Sequence, residues 1–176
     1  MGFQSIENYG VIGNMRSIAL VGMGGSIDFL CYPDFDSPTV FAALLDDERG
    51  GYFKIQPQLS NTRVRQLYLP DTNILLTRFL AEEGVAELTD YMPIATDAKQ
   101  PNEIVRTVSV IRGKIDFQMR CQPRFHYAAC AHSVKIEDSS AVFSPANDRC
   151  PAMALYSTVA MTQESQDAMA QFSLKA

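Results

Sequence analysis

Short apolar runs alternate with turn-forming residues along most of this chain, and that spacing leaves room for strands but little room for helices. Residues 18–21 and 27–31 are apolar and are joined by a segment containing three glycines, which supply the backbone freedom of a tight reversal. Residues 73–80 and 85–92 flank a polar loop that ends in Gly84. Both pairs are predicted to form β-hairpins.

Residues 114–121 show the clearest strand pattern. Ile115, Phe117 and Met119 alternate with Lys114, Asp116 and Gln118, so one face should lie in a core and the other in water. With residues 103–111, this run is predicted to form a third hairpin that turns at 112–113. Residues 134–136, 141–143 and 152–159 continue the pattern. A total of about ten strands indicates an all-β fold, an antiparallel β-sandwich.

One segment departs from the strand pattern. Asp36 and Ser37 precede Pro38, as capping residues precede proline in a first helical turn, and Phe41 and Leu45 lie four residues apart. The sequence therefore predicts one short helix near residues 37–46.

Composition narrows the classes of partner. The formal net charge is −5 without a long basic run, so nucleic acid is not an expected partner. No stretch reaches the ~20 apolar residues of a membrane span, and the amino terminus lacks an export pattern, so a cytoplasmic protein without membrane contact is expected. The four cysteines form no CxxC pair and only two histidines are present, so neither a metal nor another cofactor is expected.

Long stretches of the sequence resemble one enzyme family. They are IENYGVIGNMRSIALVGMGGSIDFLCYPDFDSPTVFAALL (6–45), LYLPDTNILLTRF (67–79), ELTDYMP (87–93) and EIVRTVSVIRGKIDFQMRCQPRF (103–125). Together they resemble the opening of bacterial glucoamylase- and trehalase-like proteins of glycoside hydrolase family 15. The resemblance implies a supersandwich-like amino-terminal domain followed by an (α/α)6 barrel, whose two glutamates hydrolyse α-glucosides with inversion.

That resemblance implies a role for the chain as a whole. Residues 1–176 are expected to form a single sandwich domain, truncated at its carboxyl end and lacking the barrel. The chain alone is then not an enzyme, and it is expected to be a non-catalytic accessory domain whose partner is the catalytic barrel of its own parent protein.

The polar loop at 32–38 and the motif at 123–127 are the candidate contact regions, because both carry the resemblance and contain side chains that look too polar for a core. This sequence has Asp34 where the family usually has an arginine, and His126 where it has an acid, so contacts of those family residues do not transfer. Asp28, Asp34 and Asp36 could be read as catalytic carboxylates, but strand, turn and cap roles are favoured. The predicted interdomain or cleft-rim residues are Asp34, Phe35, Asp36, Ser37, Arg124 and His126.

Two alternatives remain open at this point. An autonomous carbohydrate-binding module would fit a sandwich fold, although the chain has no tryptophan for a flat sugar platform. A homodimer could form through an exposed sheet edge at the predicted last strand, 171–176, or through a face left bare by the missing barrel. Four scattered arginines are assigned to solvated strand edges or sheet-face ion pairs, without a function: Arg63, Arg65, Arg78 and Arg106.

Overall fold

The computed structural model describes residues 4–94 and 102–176. It contains one 3-10 helix, Ile6–Asn8, and otherwise strands. The strands are β1 (Tyr9–Gly13), β2 (Ile18–Gly22), β3 (Ser26–Cys31), β4 (Thr39–Phe41), β5 (Tyr52–Pro57), β6 (Arg63–Tyr68), β7 (Leu75–Leu80), β8 (Val85–Tyr91), β9 (Val105–Arg112), β10 (Lys114–Gln122), β11 (His132–Glu137), β12 (Ser140–Pro145), β13 (Met153–Tyr156), β14 (Thr162–Glu164) and β15 (Asp167–Lys175).

The strands form three antiparallel sheets. The largest has eight strands in the order β1-β2-β3-β5-β10-β15-β14, with β4 paired to β3. A four-stranded sheet has the order β6-β7-β8-β9, and a three-stranded sheet the order β11-β12-β13. The prediction of an all-β antiparallel sandwich is confirmed. Within the described residues, no helix is long and apolar enough to cross a membrane.

The alternating side chains of the strands build the core between the sheets. In β10, Ile115, Phe117 and Met119 are buried while Lys114 and Asp116 are exposed, as the sequence pattern predicts. The same core receives side chains from the four-stranded sheet, where β7 and β8 contribute Leu75, Phe79, Ala86 and Leu88.

Of the three hairpins predicted above, two are confirmed and one is wrong. Strands β2 and β3 pair, as do β7 and β8. Strands β9 and β10 do not pair: β9 pairs with β8, whereas β10 pairs with β5 and β15 in the other sheet. The chain crosses between sheets at Gly113, whose φ is 88° and where a Cβ atom would lie 2.5 Å from the Glu83 carbonyl oxygen. Only glycine fits that corner without strain.

The predicted helix near residues 37–46 is wrong. Its first part is strand β4, whose three residues are all buried, and turns follow. Backbone amides that a helix would use are bound to other segments instead. The Ala42 and Ala43 amides donate to the carbonyl oxygens of Gly50 and Gly51, and the Leu44 amide donates to the Asp28 carbonyl. Thr39 and Val40 are β-branched, so their propensity also favours a strand once pairing with β3 is available. Tertiary pairing thus overrides the local cap signal.

An arginine between the sheets joins them directly. Arg106 lies on β9, and its side chain is 3% exposed. Its guanidinium donates to the Phe53 carbonyl at 2.6 Å and to the Gly25 carbonyl at 2.8 Å, both in the eight-stranded sheet or its turns, and it lies 4.7 Å from the Phe53 ring centre. Asp90 on β8 is fully buried and accepts from Arg106 Nε at 2.8 Å. Arg106 thus forms the predicted ion pair with its cross-strand neighbour Asp90, but the pair is buried and does not lie at a solvated strand edge.

The two edge strands of the largest sheet differ in how their outer backbone groups are hydrogen-bonded. At β1, the Tyr68 hydroxyl accepts from the Val11 amide and donates to the Val11 carbonyl, both at 2.8 Å, so a side chain occupies the backbone edge. At the other end, β14 pairs with β15 only at Asp167, Ala168 and Met169. In the described part of the chain, the outer side of the rest of β15 has no strand partner. The predicted last strand is confirmed, and it begins earlier than expected.

The buried ion pair generates a stability prediction. Replacing Asp90 with alanine leaves the Arg106 charge buried without its carboxylate, and we expect a loss of about 3–5 kcal/mol in the free energy of unfolding. The matched control is Glu87→Ala on the same strand as Asp90. It breaks the more exposed ion pair between Glu87 and Arg78 of β7 and should cost about 0–1 kcal/mol. Urea unfolding followed by circular dichroism measures both, and equal losses would contradict the role given to Asp90.

Candidate functional site

Strand β4 brings the two predicted contact regions together. One of its edges pairs with β3, and its other groups bind the segment after β10. The Arg124 amide donates to Val40 O at 2.9 Å, the His126 amide to Thr39 O at 2.8 Å, and the Tyr127 amide to Thr39 Oγ1 at 2.7 Å. The loop at 32–38 runs directly into β4, so both regions meet at one end of this short strand.

The loop at 32–38 is a folded turn rather than a free polar segment. Its Tyr32–Pro33 peptide is cis, and the Ser37 amide donates to Asp34 O while Ser37 Oγ accepts from the Asp34 amide at 3.1 Å. The Asp34 carboxylate binds Arg16 at 2.9 Å, with both side chains about half exposed. Phe35 is 56% exposed at the tip, and Asp36 beside it is also exposed. Asp34 and Ser37 therefore shape the loop, whereas the side chains of Phe35 and Asp36 extend into solvent.

The segment after Phe125 adopts a left-handed turn. His126, Tyr127 and Ala128 have φ angles of 53°, 56° and 64°, which non-glycine residues adopt rarely and seldom in succession. The Ala129 amide donates to His126 O and the Cys130 amide to Phe125 O, and the Phe125 side chain is buried beneath the turn. Backbone strain of this kind is commonly kept where side chains have to be presented. Here it exposes His126 and Tyr127.

Arg124 has a supporting position rather than an exposed one. Its Nη1 binds Asp167 Oδ1 at 2.9 Å, and the other oxygen of this buried carboxylate binds Arg120 at 3.0 Å. Nearby, His132 hydrogen-bonds Gln166 O through Nε2 at 3.0 Å and packs edge-on against Phe125. Burial is the main reason that the pKa of His132 lies below its usual value, which favours the neutral form of the ring. The network fixes the base of the left-handed turn.

A cleft of about 350 Å³ lies between this turn and the chain that follows β4. Its walls include Asp46, Arg49 and Tyr127. Of these three residues, only Tyr127 lies in a predicted contact region, the motif at 123–127. Asp46 accepts from the Arg49 and Glu48 amides and from Arg49 Nε at 3.1 Å. Hydrogen bonding to the Arg49 amide is the main reason that the pKa of Asp46 lies below its usual value. The signal available in the sequence is the DDERGG run at 46–51, which begins where the predicted helix ends.

We call the exposed surface around β4 the loop face and define it by three apolar side chains, Phe35, Leu45 and Tyr127. They are 56%, 59% and 56% exposed, respectively. Leu45 and Tyr127 line the cleft together with the charged groups of Asp46 and Arg49, and Phe35 lies on the loop that leads into β4. An apolar centre with a charged rim is suited to binding a protein surface or a polar ligand with an apolar side.

Of the three acidic residues considered as catalytic carboxylates, Asp36 lies exposed beside Phe35 and has no helix to cap, whereas Asp28 and Asp34 have structural partners. Asp28 is buried on β3, where it accepts hydrogen bonds from the Tyr9 and Ser26 hydroxyls, so it stabilises the sheet. Asp34 is paired with Arg16. Among the described residues, no group of His, Cys, Asp and Glu side chains is arranged to hold a metal ion.

Strain in the left-handed turn can be tested by substitution. Ala128→Gly places a residue that tolerates positive φ at 64°, and we expect the free energy of unfolding to rise by about 0.5–1 kcal/mol. The adjacent Ala129→Gly change is the control, because Ala129 lies outside the left-handed region and the substitution should lower stability by a similar amount. Chemical denaturation measures the free energy of unfolding of both variants. A lower free energy of unfolding in Ala128→Gly would show that the turn is not strained.

Comparison with known proteins gives the chain a family. The family described as "Trehalase-like, N-terminal" matches residues 2–175. Curated relatives include a trehalase of Thermoplasma volcanium, 38% identical over 129 residues that cover 72% of this chain and 21% of the relative. Trehalase 1 of Sulfolobus acidocaldarius is 38% identical over 142 residues, covering 80% of this chain and 24% of the relative.

A trehalase of Mycolicibacterium smegmatis is 30% identical over 142 residues, covering 71% of this chain and 21% of the relative. The chain thus spans about a fifth to a quarter of the length of these relatives. No solved structure matches the chain significantly. Because the family match extends over nearly the whole sequence, the chain belongs to the trehalase-like N-terminal domain family.

Proposed function

We propose that this chain is the non-catalytic amino-terminal accessory domain of a larger glycoside hydrolase. One observation carries the proposal: the family match covers residues 2–175, whereas the matched segments make up only 21–24% of three trehalases. The remaining length of such a protein is ample for a separate catalytic domain. We place the parent in glycoside hydrolase family 15 and assign it hydrolysis of α-glucosides with inversion.

The environment of the chain's own carboxylates supports a non-catalytic role. Inverting hydrolases need one carboxyl as acid and another as base, about 6.5–9.5 Å apart on opposite sides of the sugar. Asp28 is buried and hydrogen-bonded within the sheet, and Asp34 is bound to an arginine. Asp46 is bound within its own turn, which favours its charged form and disfavours the protonated form of a general acid. The carboxylates of Asp28, Asp34 and Asp46 are therefore suited to stabilising the fold rather than to acid–base catalysis.

In this proposal the loop face docks against the catalytic domain of the same protein. Phe35, Leu45 and Tyr127 are large apolar side chains that remain more than half exposed; Phe35 lies on the 32–38 loop, Leu45 in the turns after β4 and Tyr127 on the strained turn. Burying such side chains in an interface releases about 25 cal/mol for each Å² of apolar surface. The charged groups at Asp46 and Arg49 would then form the polar rim and select the partner surface.

Docking can be tested with this chain and the separately produced catalytic segment of the full-length protein. Replacing Phe35, Leu45 and Tyr127 together with serine should weaken their association about 100-fold, since roughly 3 kcal/mol of apolar burial is lost. The matched control replaces Ile111 and Tyr156, which are 56% and 79% exposed on other strands, with serine. Isothermal titration calorimetry measures both, and equal affinities for the two variants would rule out the loop face as the docking surface.

The second candidate, carbohydrate binding by the isolated chain, is favoured by the cleft. Tyr127 offers a ring and Asp46 and Arg49 offer polar groups, a combination that can hold a sugar. The accessory-domain proposal expects otherwise: the pure chain should release no glucose from trehalose or maltose and should show no heat with either sugar. Hydrolysis would contradict the non-catalytic role, and binding that is lost in Tyr127→Ser would favour the second candidate. Light scattering on the same sample reveals a homodimer formed through the outer edge of β15.

A further inference from the structure

The segments that begin and end the β11–β12 hairpin bring two cysteines together. Cys130 directly precedes this hairpin and ends the left-handed turn, with its amide bound to Phe125 O at 3.1 Å. Beyond the other strand, the Ala146 amide donates to Ala131 O at 2.8 Å, which extends the pairing of β11 and β12 by one position. The Cys150 amide then donates to Asn147 O at 3.0 Å, so a tight turn brings Cys150 back beside the end of the ladder.

The Cys150 thiol shares a side-chain hydrogen bond with the Cys130 thiol, and both residues lie just beneath the surface. Cys130 is 8% exposed and Cys150 is 6% exposed. Exposed chain flanks them on both sides, at residues 126–129 and 146–149. Burial, and then a side-chain hydrogen bond to Cys130, raises the pKa of Cys150. Cys130 and Cys150 are not joined by a disulfide in this structure.

The other two cysteines provide a contrast. Cys121 is 1% exposed on the core face of β10, where burial raises its pKa strongly, so it is inaccessible to an oxidant. Cys31 is the last residue of β3, and its carbonyl accepts a hydrogen bond from the Ser17 hydroxyl. It is partly exposed and belongs to a different strand from the segments that carry Cys130 and Cys150.

We propose that Cys130 and Cys150 are a redox-active pair that closes to a disulfide and clamps the base of the left-handed turn. The oxidant is a small-molecule disulfide such as oxidised glutathione. One thiolate attacks it and releases one reduced glutathione, and the second protein thiol then displaces the other. The protein loses two protons and two electrons, and the oxidant is reduced to two thiols. The inference stands independently of the docking proposal.

The clamp would act on the residues that the loop face presents. A bond from Cys130 to Cys150 ties the end of the turn that carries His126 and Tyr127 to the segment after β12. Closing a loop of roughly 20 residues removes freedom mainly from the unfolded chain. Because burial keeps the Cys150 thiol protonated near neutral pH, oxidation should be slow at pH 7 and faster at pH 8.5.

The test uses the pure 176-residue chain, incubated with oxidised glutathione at pH 8.5 and alkylated before mass spectrometry. We expect a mass decrease of about 2 Da before alkylation, which corresponds to one intramolecular disulfide. Peptide mapping should assign it to Cys130 and Cys150, and the thermal midpoint should rise by about 5–10 °C and return on reduction.

Matched variants separate the pair from the other thiols. Cys31→Ser should form the same bond at the same rate, whereas Cys130→Ser and Cys150→Ser should not form it. Peptide mapping of the unmutated chain does not depend on the folding of any variant. A disulfide involving Cys31 or Cys121, a stable mixed disulfide with glutathione, or four unreacted thiols after prolonged incubation would each overturn the proposal.

Discussion

The buried contact between Arg106 and Asp90 determines how the two large sheets sit on each other. Arg106 projects from β9 of the four-stranded sheet and binds carbonyl oxygens of Phe53 and Gly25 on the opposite side of the core. A guanidinium buried to this extent would be strongly destabilising without compensation, and Asp90 supplies the opposite charge from the neighbouring strand. Because the guanidinium binds acceptors in both sheets, the pair ties one sheet to the other as well as contributing to stability.

The register of the sheets in turn places β4 and everything attached to it. Strand β4 has only three residues, yet its groups hold β3 on one side and the chain after β10 on the other. The predicted contact regions at 32–38 and 123–127 are distant in sequence and meet there because the Thr39 backbone and hydroxyl accept from the His126 and Tyr127 amides. The exposed side chains of the loop face depend on that short strand for their common orientation.

A network of charges supports the same region from behind. Asp167, at the start of β15, binds both Arg120 and Arg124, so the last strand of the large sheet is tied to the chain that leads into the left-handed turn. The strain of three consecutive positive φ angles is therefore balanced by contacts on both sides of the turn, at Thr39 and at Asp167. An accessory domain that presents a fixed surface to a catalytic partner needs this kind of rigidity.

The sequence by itself determined the strand content, the apolar face of β10 and two of the three main hairpins, because period-two alternation and turn residues are local signals. Its resemblance to trehalase-like proteins agrees with the family match. The sequence also predicted Phe35 and His126 as contact residues, and both side chains are exposed. It did not reveal that β9 and β10 lie in different sheets, because the turn at Gly113 looks the same whether the strands pair or separate. The false helix at 37–46 arose because cap residues and a four-residue spacing are local, whereas the pairing partners of β4 come from distant segments. Only the tertiary structure brought Asp46 and Arg49 beside Tyr127 and Cys130 beside Cys150, since contacts between distant residues follow from sheet packing and leave no local pattern.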